Sequence, residues 1–445
     1  MTSTRATILG LSPQGLQLVL LAIGLLLAAG WLGQDDCSAS GTSCFGLVQL
    51  TLNGVLVGGV YALVALGIVV VNKASGVFNF AHGYLMLAGA LIFWQAYSAT
   101  PSLGFAALLA GMAGFMAFTM LGYNPNTEDK RLSRLGRLRQ QATHRRFWVG
   151  VGMGLGVALL LFWLLRNLES DVQFIITWRA GILRGAISAV IGSTVIGLVV
   201  ERFAIRPLLG KPLLTLVMMT LAVGLLIQGI TALIWGTQQN PLPIFTSETM
   251  TIRQQIAPGV FVDNTLPGEP LPNYTLPTRD LLGEDLSFTR NLVWGFGIAL
   301  LGFVGFVAFF QLTPLGLAMR AAAENQMLAQ SVGLRVRTLL AVAWAIAAVM
   351  AMAAGVIQGT GAGVGVSAIV IPPLAFRAFP AVLLGGLESI TGALVGGILI
   401  GVVEVLATGL IDSATGQEFA PFAVLMVVLL IRPDGLFGER RVERV

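Results

Sequence analysis

The chain has 445 residues, of which 56 % are apolar and only 11 % charged, and its mean hydropathy is +0.85. A soluble domain carries about a quarter charged residues, so the composition excludes an ordinary cytosolic enzyme and indicates a polytopic integral membrane protein. The net charge of +5 does not mark a nucleic-acid partner, because the arginines cluster in short loops between apolar runs. The 55 glycines fit membrane helices, whose bare backbones let neighbours approach closely.

In chain order, apolar runs fall near 16–32, 47–71, 78–96, 103–122, 147–165, 180–200, 213–235, 292–312, 339–357, 365–387, 390–410 and 419–431. A run of about 18 to 20 such residues crosses a hydrocarbon core about 30 Å thick. The expected fold is therefore all-α: a helical membrane bundle of about 10–12 transmembrane segments, forming a single transmembrane domain over residues 1–445. The first run reads as a retained helix and not as a cleavable signal. The tenth is interrupted by Pro372, Pro373, Arg377 and Pro380, and is read as a broken or re-entrant segment.

Between the first two runs, Cys37 and Cys44 share a polar loop with Asp35 and Asp36. They form a disulfide if that loop faces an oxidising compartment, and stay as two thiols otherwise. Lys130, Arg131, Arg134, Arg137, Arg139, Arg145 and Arg146 crowd one later loop; Arg202, Arg206 and Lys211 sit in another. Arg320, Arg335 and Arg337 fall in a third segment, and Arg432, Arg440, Arg441 and Arg444 in the tail. Positively charged loops stay in the cytoplasm. Counting crossings from a cytoplasmic N-terminus puts all four segments, and the C-terminus, on that side. The same count puts the Cys37/Cys44 loop and residues 238–290 outside. The latter segment carries seven prolines and more acids than bases, and reads either as a docking surface for an external protein or as a plain covering loop.

Residues 313–337 differ from the runs around them. Pro314, Gly316 and Gly333 punctuate a stretch of strong helix formers from Leu317 to Gln330. Arg320, Glu324, Asn325 and Gln326 are polar, whereas Leu317, Ala321, Leu328 and Val332 are apolar. The expected element is a short amphipathic helix outside the bilayer, and the plain alternative is a solvated loop helix. Elsewhere Gly54/Gly58, Gly355/Gly359/Gly363, Gly392/Gly396 and Gly397/Gly401 recur at four residues, which places each set on one helix face.

The chain has three lysines, Lys73, Lys130 and Lys211, and none lies in a GxxxxGK[ST] phosphate loop. A glycine-rich stretch at 359–365 follows a membrane run and precedes no soluble helix, so it is not a dinucleotide site. His82 and His144 are the only histidines, and no metal-ligand spacing occurs. No cofactor, metal or catalytic residue is expected in this chain. Polar groups inside membrane runs are the functional candidates: Asn53, Asn79, His82, Gln228, Glu388 and Glu404, each weighed against an ordinary satisfied hydrogen bond. Glu404 reads as the most deeply placed acid, and Arg184 as close enough to a helix end to snorkel.

Five segments then carry a resemblance. They are Asn79-Phe80-Ala81-His82-Gly83 after Gly58-Gly59-Val60-Tyr61; Glu201-Arg202-Phe203-Ala204-Ile205-Arg206-Pro207-Leu208; the Leu-Gly-x-Ala-Met-Arg-Ala of 315–321 with Gly333; residues 379–393 with Leu384-Gly385-Gly386; and Arg432-Pro433-Asp434-Gly435-Leu436-Phe437-Gly438. Together and in this order they resemble the LivH-type permease subunit of bacterial branched-chain amino acid ABC importers. The resemblance implies a multi-pass protein of the bacterial inner membrane. It also implies a second related permease, two cytoplasmic ATPases that use the ATP, and a periplasmic binding protein as partners.

By the same resemblance the helix of 313–337 is the ATPase-coupling element, with Leu317, Arg320, Ala322, Glu324 and Gly333 as its residues. Asn53, Asn79, His82 and Glu404 are candidates for the translocation pathway. Residues 123–179 depart from the pattern and read as an inserted hairpin with a basic cytoplasmic loop. The substrate reading is a branched-chain amino acid. Permeation of urea or short amides, an ion-gradient-driven transporter and a non-transporting scaffold stay open as alternatives.

Overall fold

The computed structural model describes residues 44–98, 102–121, 142–167, 180–245, 250–257, 260–266, 271–278, 285–324, 326–361, 364–410 and 414–438. The run at 16–32, Cys37 and the Cys44 side chain, the basic loop over 123–141, and Arg440, Arg441 and Arg444 lie outside them. Every other apolar run forms helix. In order these are α1 (Cys44–Ser75), α2 (His82–Ser98), α3 (Leu103–Leu121), α4 (Arg145–Asn167), α5 (Ala180–Val199), α6 (Leu213–Trp235) and α7 (Arg290–Leu312). Then come α8 (Pro314–Glu324), α9 (Gln326–Ser331), α10 (Val336–Gly359), α11 (Ile371–Arg377), α12 (Phe379–Gly385), α13 (Ile390–Leu410) and α14 (Ala414–Ile431). Among the described residues seven helices are long and apolar enough to cross a membrane, and three shorter apolar ones accompany them. The protein is a polytopic helical membrane protein.

Glycine decides which helices touch. A Cβ on Gly58 would lie 2.6 Å from Ile398 Cα, and one on Gly401 would lie 2.3 Å from Gly58 Cα, so α1 and α13 meet backbone to backbone. Gly197 sets α5 against the Trp344 carbonyl of α10, and Gly355 sets α10 against the Met86 carbonyl of α2. Gly114 and Gly154 face each other's carbonyls, which joins α3 to α4. Trp344, Leu63, Leu66 and Met86 fill the space between α1, α2 and α10 and are fully buried.

Two ends of the bundle are defined by polar contacts. At one, Gln49 bonds both backbone groups of Ser287, and Asn240 and Val366 exchange backbone hydrogen bonds of 3.0 and 2.7 Å. At the other, Asn72 donates to the Leu387 carbonyl and Lys73 to the Glu388 carbonyl, each at 3.1 Å. The interrupted run therefore starts at the Asn240 end and finishes at the Lys73 end. Of the two sequence alternatives it is broken, and it crosses the bundle as α11 and α12. Its prolines sit in the first turn of each short helix, where the missing N–H has no helical partner to lose.

One segment gains detail and one expectation fails. The polar segment over residues 238–290 holds two short hairpins. Strands β1 (Met250–Ala257) and β2 (Val260–Leu266) pair antiparallel, as do β3 (Tyr274–Leu276) and β4 (Leu286–Phe288). And Arg184 does not snorkel. It is fully buried, with Nε donating to the Ala96 carbonyl at 2.5 Å. The last turn of α2 presents free carbonyls, and a cation there is favoured by the helix dipole.

Candidate functional site

At the Lys73 end, α7 turns directly into α8. Thr313 is extended, its hydroxyl donates to the Phe309 carbonyl at 2.7 Å, and the Gly316 N–H donates back to it at 3.0 Å. A Cβ on Gly316 would lie 2.4 Å from the Phe310 carbonyl oxygen, so the turn admits only glycine there. Arg320 folds back onto α7. Gly333 closes the element with φ +88°, a left-handed conformation that suits glycine.

The amphipathic helix is present, as two short segments, α8 and α9. Met319, Ala322 and Ala329 turn into the bundle. Leu317, Ala321, Leu328 and Val332, its apolar residues by sequence, are exposed together with Glu324. The bundle takes Met319 and two alanines and leaves the leucines and Val332 to solvent. Of the coupling candidates, Leu317, Glu324 and Gly333 are thus on the surface, Ala322 packs inward, and Arg320 is an anchor.

The same end holds two further devices. The segment after α14 clips onto the end of α12, with the Leu436 and Phe437 N–H groups donating to the Leu384 and Gly385 carbonyls at 2.8 and 3.2 Å. This brings the RP-x-GLFG and LGG segments together. The second device is an ion pair. Arg206 donates to both carboxylate oxygens of Glu201 at 2.9 and 2.7 Å, and the Glu201 side chain is only 1 % exposed. Glu201 lies in a π-helical turn, Val200–Ile205, and Arg206 caps its end. Residues five apart stack in i→i+5 bonding and would diverge in an α-helix, which hid the pair from helical spacing rules. Glu201 is the most buried acid among the described residues.

The four pathway candidates occupy three places. Asn53 is half-buried near the Asn240 end of α1 and accepts a hydrogen bond from Gln49 at 3.3 Å. Asn79 and His82 are fully buried beside the start of α2. Asn79 Oδ1 accepts the Ala81 N–H at 3.1 Å and so starts the helix. Its Nδ2 and both ring nitrogens of His82 have no hydrogen-bond partner among the described residues. The His82 ring lies against bare backbone, because a Cβ on Gly67 would sit 2.6 Å from its Cε1. Asn53 stands 14 residues from Gly67, roughly 21 Å along α1, so it is not part of this cluster.

Glu404 is the third place. Its Oε1 accepts from Arg377 Nη1 at 3.1 Å, and the Tyr61 hydroxyl is within reach of both side chains. Spacing did not join Arg377 to Glu404, since they lie on different helices 27 residues apart.

Residues 147–431 match the family described as branched-chain amino acid transport system / permease component, which is more than half of the chain. The chain belongs to this family. Among curated relatives, the permease is 24 % identical over 403 residues to the high-affinity branched-chain amino acid transport system permease protein LivH of Salmonella typhimurium, covering 89 % of this chain and 97 % of the relative. It is 25 % identical over 402 residues to BraD of Pseudomonas aeruginosa, covering 89 % and 98 %. A probable LivH of Methanocaldococcus jannaschii is 31 % identical over 155 residues, covering 32 % and 46 %. No solved structure matches the permease.

Proposed function

We propose that this permease is the membrane subunit of an ATP-driven importer that carries branched-chain amino acids across the bacterial inner membrane. Its termini are cytoplasmic. It works with a second related permease, two cytoplasmic ATPases and a periplasmic binding protein. The observation that carries the reading is the α8–α9 element: Leu317 and Glu324 on α8, Leu328 on α9 and Val332 just after it are exposed, and α8 is locked to α7 through Arg320. An apolar helix face at the end of a membrane bundle is a docking element for a protein with an apolar cleft. The chain has no phosphate loop of its own, so ATP is bound and split by the partner subunits.

The mechanism follows the contacts. Closure of the ATPases shifts α8 and α9, and Arg320 carries that shift into α7. Helix α1 lies between α7 and α13 and holds Gly67 against His82. Orphaned buried polar atoms cost about 1–3 kcal/mol each, so Asn79 and His82 favour any rearrangement that gives them solute or water. Asn53, Asn79, His82 and Glu404 are assigned to that path.

The test is uptake of tritiated leucine by vesicles holding the whole assembly, with ATP inside and binding protein outside. ATP-dependent uptake that disappears on deleting 317–330 is expected. Uptake driven by an ion gradient without ATP would instead make the protein a secondary transporter. Transport of urea but not leucine would place it among amide permeases, and no transport of either would leave a scaffold.

A further inference from the structure

The charge pairs Glu201–Arg206 and Arg377–Glu404 differ. Arg206 grips Glu201 through both carboxylate oxygens, and that carboxylate is sealed. Arg377 touches Glu404 through one oxygen, at 3.1 Å, with side-chain exposures of 33 % and 12 %. The second oxygen, Glu404 Oε2, is buried and has no donor among the described residues. The first pair is a locked clamp, whereas the second leaves one carboxylate oxygen, Glu404 Oε2, without a donor among the described residues and is partly open.

The open pair is also the one placed inside the bundle. Tyr61, which reaches both charges, stands halfway along the 30-residue span Gly46–Ser75. Arg377 closes α11 at the break before α12, where an interrupted helix frees backbone groups. An aromatic surface gathers at the same break: Phe376 and Phe379 flank Arg377 in sequence, and Phe379 contacts Phe78 and Phe80 at ring distances of 5.2 and 5.6 Å.

We propose that Arg377, Glu404 and Tyr61 form a transient binding site for the charged groups of an α-amino acid zwitterion, closed on itself in this conformation. The α-carboxylate takes the place of Glu404 on Arg377, and the α-ammonium takes the place of Arg377 on Glu404, filling the open Oε2 position. Both charges stay compensated throughout, which removes the main penalty for separating a buried ion pair. Urea and amides carry no opposite charges and cannot make this exchange. The inference rests on the amino-acid reading above and gives it a location.

The test uses the whole assembly in vesicles, with tritiated leucine as probe. Wild type is measured first, and wild type without leucine uptake refutes the transport reading itself. Given wild-type uptake, Arg377→Met with Glu404→Met removes both charges together and leaves no uncompensated one, so a merely structural pair predicts normal uptake. The site predicts a loss of at least tenfold, with the variant still co-purifying with its ATPases. Uptake within twofold of wild type overturns the inference. If the double Met variant does not reach the membrane, the swap Arg377→Glu with Glu404→Arg decides. A structural pair is restored by the swap. A site that fixes the orientation of a chiral solute is not, so restored uptake also overturns the inference.

Discussion

Arg320 Nη1 donates to the Phe310 carbonyl at 2.5 Å while its guanidinium carbon lies 5.6 Å from the centre of the Phe310 ring. One side chain thus fastens α8 to the last turn of α7 twice, through a charge-assisted hydrogen bond and a cation–π contact. A second nitrogen approaches the Gln311 carbonyl at 3.5 Å. Removing this anchor with Arg320→Ala is expected to reduce solute moved per ATP split several-fold, with less effect on ATP hydrolysis itself. Arg320→Lys recovers only part of the ratio, because an ammonium lacks the planar fork that bonds and stacks together. Parallel measurement of leucine uptake and phosphate release checks both.

Glu201 and Arg206 make the opposite prediction, since theirs is a matter of stability. Arg206→Ala strips a nearly sealed carboxylate of its partner and is expected to cost about 3 kcal/mol or more. Glu201→Gln together with Arg206→Met leaves no unpaired charge and should recover most of that loss. Thermal unfolding of the detergent-solubilised protein, followed by tryptophan fluorescence, orders the three proteins. Equal melting of Arg206→Ala and wild type would show the pair to be idle.

The contrast explains what was readable in advance. Helix positions follow from run length alone, because no bilayer-crossing backbone can leave its hydrogen bonds unmade. The break at α11 and α12 follows from Pro372, Pro373 and Pro380, which cannot continue a helix but start one well. The pairs were not readable in the same way. Arg377 meets Glu404 only once α11 and α13 are packed. Arg184 looked like an interfacial side chain because nothing in its neighbourhood announces that the carbonyl of Ala96, 88 residues earlier, will meet it. The outward turn of Leu317 and Leu328 defeats the rule that large apolar residues are buried.

Glycine positions separate packing from open surface. A Cβ at Gly58 would lie 2.6 Å from Ile398 Cα and 2.8 Å from the Gly397 carbonyl oxygen, both backbone atoms that cannot step aside. Gly58→Leu should therefore abolish accumulation of folded protein. At Gly152 on α4 nothing lies within 4 Å of the added atom, so Gly152→Leu should accumulate to the wild-type level. Quantitative immunoblots of membrane fractions compare them. A Gly58→Leu protein at normal abundance would mean that α1 and α13 do not meet as described.

The close fit of Gly67 on His82 yields the last prediction. An alanine methyl at 67 would fall 2.6 Å from His82 Cε1 and 2.9 Å from Nε2, and 3.4 Å from the Ala347 carbonyl oxygen. The tight neighbour is a side chain, yet a fully buried ring between α1, α2 and α10 has little room to swing. Gly67→Ala should force α1 outward or tilt the ring, and uptake should fall at least fivefold. If overlap with the ring is the cause, removing the ring removes the conflict. Gly67→Ala with His82→Ala should then fold at least as well as Gly67→Ala alone, by melting temperature. Its uptake separates the roles of His82: recovery means that the imidazole only fills space, and continued loss means that its nitrogens serve the moving solute. A double variant less stable than the sum of the two single changes would rule out the contact itself, because relieved overlap can only make the pair sub-additive.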